Sequence, residues 1–185
     1  MGLSGNLVIQ TVTMKKLSLL LLLTIAITAT RAQTQKVNPI VKSFGAVYDV
    51  PFATEKPNDR TKYNIVVDIT DAADKPDSLN AYLEAAATLL NLHGVGGVPA
   101  KNIHMIVVLH KMALYSIFTN EVYQKKFKTD NPNIHLIAAL KDVGVQFYTC
   151  GQTLMKIHMD EKSILPAVSV ATSALTTFTT YQLRG

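Results

Sequence analysis

Beyond Tyr63 the chain alternates short β-branched runs with segments of helical period. Four runs stand out: Asn64–Ile69, Ile103–Leu109, Val145–Thr149 and Val168–Ala171. Each is nearly continuous in apolar residues and bounded by turn formers, the pattern of a strand buried on both faces. Strands separated by helices read as βαβ units. The fold class is therefore α/β, with a mostly parallel sheet covered on both faces by its crossover helices.

The helical segments are legible from their stripes and stops. Leu79, Tyr82, Leu83, Ala86, Leu89, Leu90 and His93 recur at three and four residues, which predicts a helix capped by Asp77 or Ser78 and ended by Gly94. Residues 113–118 and 120–127 read as short helical pieces. Asn131-Pro132 is an N-cap followed by proline at the first helical position, which predicts a helix running to Gly144. Cys150-Gly151 turns from the third strand into a helix from Gln152. Ser173 to Leu183 forms the last helix. Residues 33–61, with Pro39, Pro51 and Pro57, read as a polar N-terminal arm with a short hairpin around Gly45.

The start of the chain has its own signature. Met14-Lys15-Lys16 precedes an apolar run from Leu17 to Thr28, and Thr30-Arg31-Ala32 follows. A basic stretch, an apolar stretch and small residues before a cut form a secretory signal pattern. The run falls short of the roughly 18–20 apolar residues that span a bilayer. Residues 1–32 are thus expected to be removed after Ala32, with Met14 a possible start of synthesis. Export follows from this reading, to the periplasm in a Gram-negative source, with no membrane insertion after cleavage. Removal of Lys15, Lys16 and Arg31 leaves 15 basic and 13 acidic residues. No basic patch interleaved with aromatics remains, so nucleic-acid binding has no electrostatic footprint.

In the 185 residues, 48% are hydrophobic and one is cysteine. Disorder over most of the chain, an internal disulfide and cysteine-rich zinc sites are excluded. No phosphate loop, dinucleotide fingerprint or serine nucleophile elbow is present. What remains is topology: in an open parallel sheet, ligands bind beyond the carboxyl ends of the strands. Those ends carry Asp68 and Asp71, then His110, then Cys150. At a strand-to-helix turn the helix N–H groups stabilise thiolate, and Gly151 leaves room for a substrate or for backbone. Two readings of Cys150 stay open, a reactive thiol and a small buried hydrophobe. His110 is either its base or a structural histidine. Asp68 and Asp71 either bind ligand and orient His110, or cap turns. His104 and His110 share a strand face about 20 Å apart at 3.3 Å per residue, which precludes a joint zinc site. A soft-metal set of Cys150, Met155, His158 and Met159 suits Cu(I) by ligand type, though the spacing from Cys150 to Met155 fits poorly. The spacing calls for no other metal and no organic cofactor.

These residues resemble a known family. The Cys150-Gly151-Gln152 turn, Asn131-Pro132-Asn133, Leu90-Asn91-Leu92-His93 and the Val107-Val108-Leu109-His110 strand end are similar to the DsrE family of sulfur-relay proteins, from Tyr63 to Gly185. The resemblance implies a three-layer α/β/α domain over 62–185, with a sheet of about five strands and a trimeric or hexameric homo-oligomer. It implies a persulfide-bearing role for Cys150, assisted by His110, with Gly151 and Gln152 supplying N–H groups. In similar proteins the residues after this histidine are typically Gly and Pro, where this chain has Lys111 and Met112. The function expected is transfer of sulfane sulfur from a small donor to an external acceptor, since no resolving cysteine exists. The alternative is a non-catalytic oligomer that binds a small ligand in the same crevice. A Cys150–His110 hydrolase is a third class.

Overall fold

The computed structural model of the protein describes residues 35–184. The expected signal segment and its cut lie outside them. The elements are β1 (Tyr63–Ile69), α1 (Ala81–Val95), β2 (Ile103–Leu109), α2 (Asn120–Phe127), α3 (Ile134–Asp142), β3 (Gln146–Cys150), α4 (Gly151–Lys156), β4 (Val168–Ala171) and α5 (Ala174–Leu183). A 3-10 helix, Lys111–Ile117, follows β2. The four strands are parallel and lie in chain order, β1-β2-β3-β4. The described residues thus carry four strands, not about five, because the arm pairs with itself and not with the sheet.

Chain order has a consequence for layering. Right-handed crossovers between successive neighbours all fall on one face of a sheet. Accordingly, Leu83 and Leu90 of α1, Tyr123 of α2, Leu136 and Leu140 of α3 and Leu154 of α4 share one core with Ile69, Met105, Val107, Leu109 and Phe147. The second face is covered by α5 alone, where Ala174, Phe178 and Tyr181 meet Ile106, Val108 and Cys150. The architecture is three-layer α/β/α, with one thick and one thin helical layer. Coverage of both faces was expected throughout; on the second face of β1, Asn64, Val66 and Asp68 are exposed instead.

Several boundaries differ from the pattern reading for local reasons. Ser78 Oγ donates to Lys75 O at 2.9 Å and closes a turn, so α1 starts later, capped by Asn80, whose Oδ1 accepts from Tyr82 and Leu83 N–H. Tyr82 therefore points outward. Gly94 does not end α1: Gly96 N–H still bonds Leu92 O, and a Cβ at 94 would collide with Pro39 and Ile40. Asn131 does not cap α3, which begins after Asn133. Its Nδ2 instead donates to Ser116 O and Phe118 O, and its Oδ1 accepts from Asn133 N.

The arm is more than polar. Val37 and Val47 exchange backbone hydrogen bonds, closing the expected hairpin around Gly45. Buried Asn91 of α1 holds it: Oδ1 accepts from Ile40 and Val41 N–H at 2.9 and 2.8 Å, and Nδ2 donates to Phe44 O and Gly45 O. Gly45 has φ +64 and sits so close to α1 that a Cβ would lie 2.3 Å from Thr88 N.

Candidate functional site: a thiol on the thin face of the sheet

β2 and β3 pair as far as Leu109↔Thr149. Continued by one residue, that register sets His110 beside Cys150. Both belong to the α5 face: Cys150 packs with Val108 and Ala174, and the His110 ring meets Phe178 edge-on at 6.2 Å. The strand carries on to His110, whose N–H donates to Ile69 O. Lys111 then turns the chain with φ +53, the left-handed region that favours glycine. That is the place where the family resemblance implies a glycine. Here lysine holds the turn at a cost of about 1 kcal/mol.

From β1, Asp68 reaches the same histidine. Its Oδ1 lies 2.8 Å from His110 Nε2. An ionised carboxylate only accepts, so Nε2–H donates, and in the neutral ring Nδ1 carries the lone pair. The His110 side chain is 14% exposed and Asp68 51%. Asp68, His110 and Cys150 therefore descend from three successive strands onto one face of one edge. No hydrogen bond joins Sγ to the imidazole among the described residues.

Cys150 is both the last residue of β3 and the N-cap of α4. Its side chain is buried, 6% exposed, and makes no capping hydrogen bond. Burial by itself pushes the thiol up. The Thr153 hydroxyl and the N–H groups of Ala174, Thr153 and Gln152 favour the thiolate, and together they hold the thiol below its ordinary value. These donors belong to the first turns of α4 and α5.

The remaining expected residues are placed as follows. Asp71 is not at the histidine: its carboxylate accepts from Thr70 Oγ1 and its carbonyl from Asn80 Nδ2. Gly151 is required by backbone, since a Cβ there would lie 2.9 Å from Ala171 O. Gln152 is exposed and lines, with Gly151, Met155 and Met159, a cavity of about 390 Å³ beside β4. Cys150 is not among that cavity's walls. α4 stops at Lys156 and His158 turns with φ +56, so Met155, His158 and Met159 share no helical face. His93 is structural, with Nδ1 2.9 Å from Leu89 O and its ring against Tyr63.

Pattern reading missed Phe178, Thr153 and the Ala174 N–H. A signal existed: Ala174, Phe178 and Tyr181 lie at i, i+4 and i+7, the stripe of a helix lying on a sheet. The four threonines between Thr176 and Thr180 obscured it.

Fold and site define a class: a parallel α/β domain with a single thiol at the carboxyl edge and an oriented histidine on the adjacent strand. Within that class, the DsrE/DsrF-like family model matches residues 62–185, and the chain belongs to this family. A solved structure from Methanobacterium thermoautotrophicum, described as a protein of unknown function, is similar at 20% identity with a TM-score of 0.50. The match covers 66% of this chain and 94% of that one. It supports the fold. No curated protein matches the chain in sequence.

Proposed function

We propose that the protein takes part in sulfur relay and carries sulfane sulfur as a persulfide on Cys150. Family membership supports the broad role. The observation that carries the finer reading is the lowered thiol of Cys150 on the same edge as the Asp68–His110 pair. Cys150 thiolate attacks the sulfane sulfur of a donor. With thiosulfate, a bond forms between Sγ and the sulfane sulfur, the donor S–S bond breaks, and sulfite leaves with the electron pair. The sulfur keeps its oxidation level and no outside oxidant is consumed. With a polysulfide, the leaving group is the shortened polysulfide anion. N–H groups of Gln152, Thr153 and Ala174 favour the anionic sulfur, and His110 moves the proton of thiol or persulfide. Among the described residues Cys150 is the one cysteine, so the sulfur leaves to an external acceptor thiol.

In this reading the chain is exported by its N-terminal segment and works as a homo-oligomer, a trimer or hexamer. Among the described residues no helix is long and apolar enough to cross a membrane.

Burial favours a second reading. A thiol 6% exposed suits a non-catalytic oligomer in which Cys150 is core. The test is intact mass after exposure to polysulfide or thiosulfate. The expected result is a gain of whole sulfur atoms, reversed by reductant and absent in Cys150→Ser. Loading retained in Cys150→Ser, or no loading at all, contradicts the proposal.

A further inference from the structure

On the opposite side of the sheet from α5, a groove of about 610 Å³ runs between α2, the 3-10 helix before it and the segment joining α4 to β4. Its floor is Tyr115, Phe118, Val122 and Met159, and Lys125 and Lys126 stand on its rim. The groove is built into the fold. Thr119 N–H donates to Ser163 O and Leu165 N–H to Ile117 O, so its two sides are tied by backbone. Phe118 and Ile164 pair with each other across it.

The rim charges are available. Among the described residues, neither lysine has a carboxylate within 4.0 Å. Lys126 Nζ sits 4.8 Å from the centre of the Tyr115 ring, at the edge of the apolar floor. Lys128 lies outside the groove lining, its Nζ donating to Lys125 O. Of the nearby acids, Asp130 accepts from Asn120 and Gln124 and Asp160 from Lys162 N–H and the Ser163 hydroxyl, while Glu121 and Glu161 are exposed and more than 4.0 Å from either lysine.

We infer that this groove is a binding site for a single-chain amphiphile with an anionic head. The alkyl chain lies along the aromatic and methionine floor, and the head meets Lys125 and Lys126. The volume falls within the range of roughly 300–1,000 Å³ typical of small-molecule sites. A peptide strand finds little free backbone here, because Phe118 N–H donates to Tyr115 O, Phe118 O accepts from Asn131 Nδ2 and Ile164 N–H donates to Glu161 O. The inference does not rest on the chemistry of Cys150.

Calorimetric titration of the full chain with decanoate tests it, with decyltrimethylammonium as the cationic amphiphile of equal chain length. The expected result is saturable one-to-one binding of decanoate, with the cationic amphiphile weaker. The double variant Lys125→Glu, Lys126→Glu should bind decanoate about tenfold or more weakly, from the reversed Coulomb term. Cys150→Ser should bind as wild type. No saturable binding, undiminished binding in the double variant, or equal binding of both amphiphiles overturns the inference. Both substituted lysines are exposed, and circular dichroism of the variant confirms its fold.

Discussion

Asp68 touches His110 from a neighbouring strand, and that contact gives the histidine a fixed ring orientation. The pair is too exposed to hold the fold together. A surface ion pair contributes up to about 1 kcal/mol, and Asp68 is 51% exposed. Its effect belongs to chemistry. Asp68→Asn should leave the urea midpoint almost unchanged while slowing sulfur loading of Cys150 about tenfold, the scale of a mispositioned acid–base group. Loading kinetics followed by mass, beside an unfolding curve, separate the two effects. An unchanged loading rate would make His110 a structural residue. The same contact was partly legible in the sequence. Asp68 and His110 were both at strand ends, but so was Asp71. The two aspartates separate only in three dimensions: Asp68 keeps the strand's alternation and lies on the α5 side of the sheet, whereas Asp71 lies past the strand, bonded to Thr70.

At the scale of elements, two attachments decide what the sheet presents. The first is the arm on α1. Asn91 satisfies five backbone groups and is fully buried. Asn91→Ala strands them away from water and should cost about 3 kcal/mol, seen as a lower urea midpoint and early hydrogen exchange at Ile40 and Val41. Undisturbed exchange there would show that the arm is held by its apolar contacts. The second is α5, which buries only Ala174 and Thr177 of its ten residues and is rich in threonine, a modest helix former. Yet α5 is what covers Cys150. Phe178→Ala removes the ring that meets His110 and should speed native-state labelling of Cys150 severalfold without global unfolding. A labelling rate that changes only in step with global stability would place the thiol behind the whole core. Sequence periodicity found all four strands within a residue or so, because continuous β-branched runs leave little alternative. It misplaced helix starts at Ser78 and Asn131, where polar side chains serve turns and neighbouring loops. Asx and Ser residues cap helices and close turns with the same hydrogen bonds, and tertiary context chooses between them.

The whole molecule is governed by strand order. Four parallel strands in chain order send every crossover to one side, so the sheet has no point at which strand order reverses and no crevice of the switch-point kind. The alternation of strands and helices was plain in the sequence; the order of the strands was not, since the same pattern fits doubly wound sheets. That order explains why the expected open crevice is absent and why Cys150 lies under a single helix. It also leaves the thiol in an unusual balance, shielded from water yet held below its ordinary value. The balance is the core of the proposed activity, and the rate of Cys150 modification on the native chain as a function of pH measures it. Because the folded thiol is held below its ordinary value, the account predicts labelling before unfolding, with a rate that rises through a midpoint below that of the unfolded chain. Labelling only after unfolding, or a native midpoint at or above the unfolded one, would contradict it and leave Cys150 as part of the core.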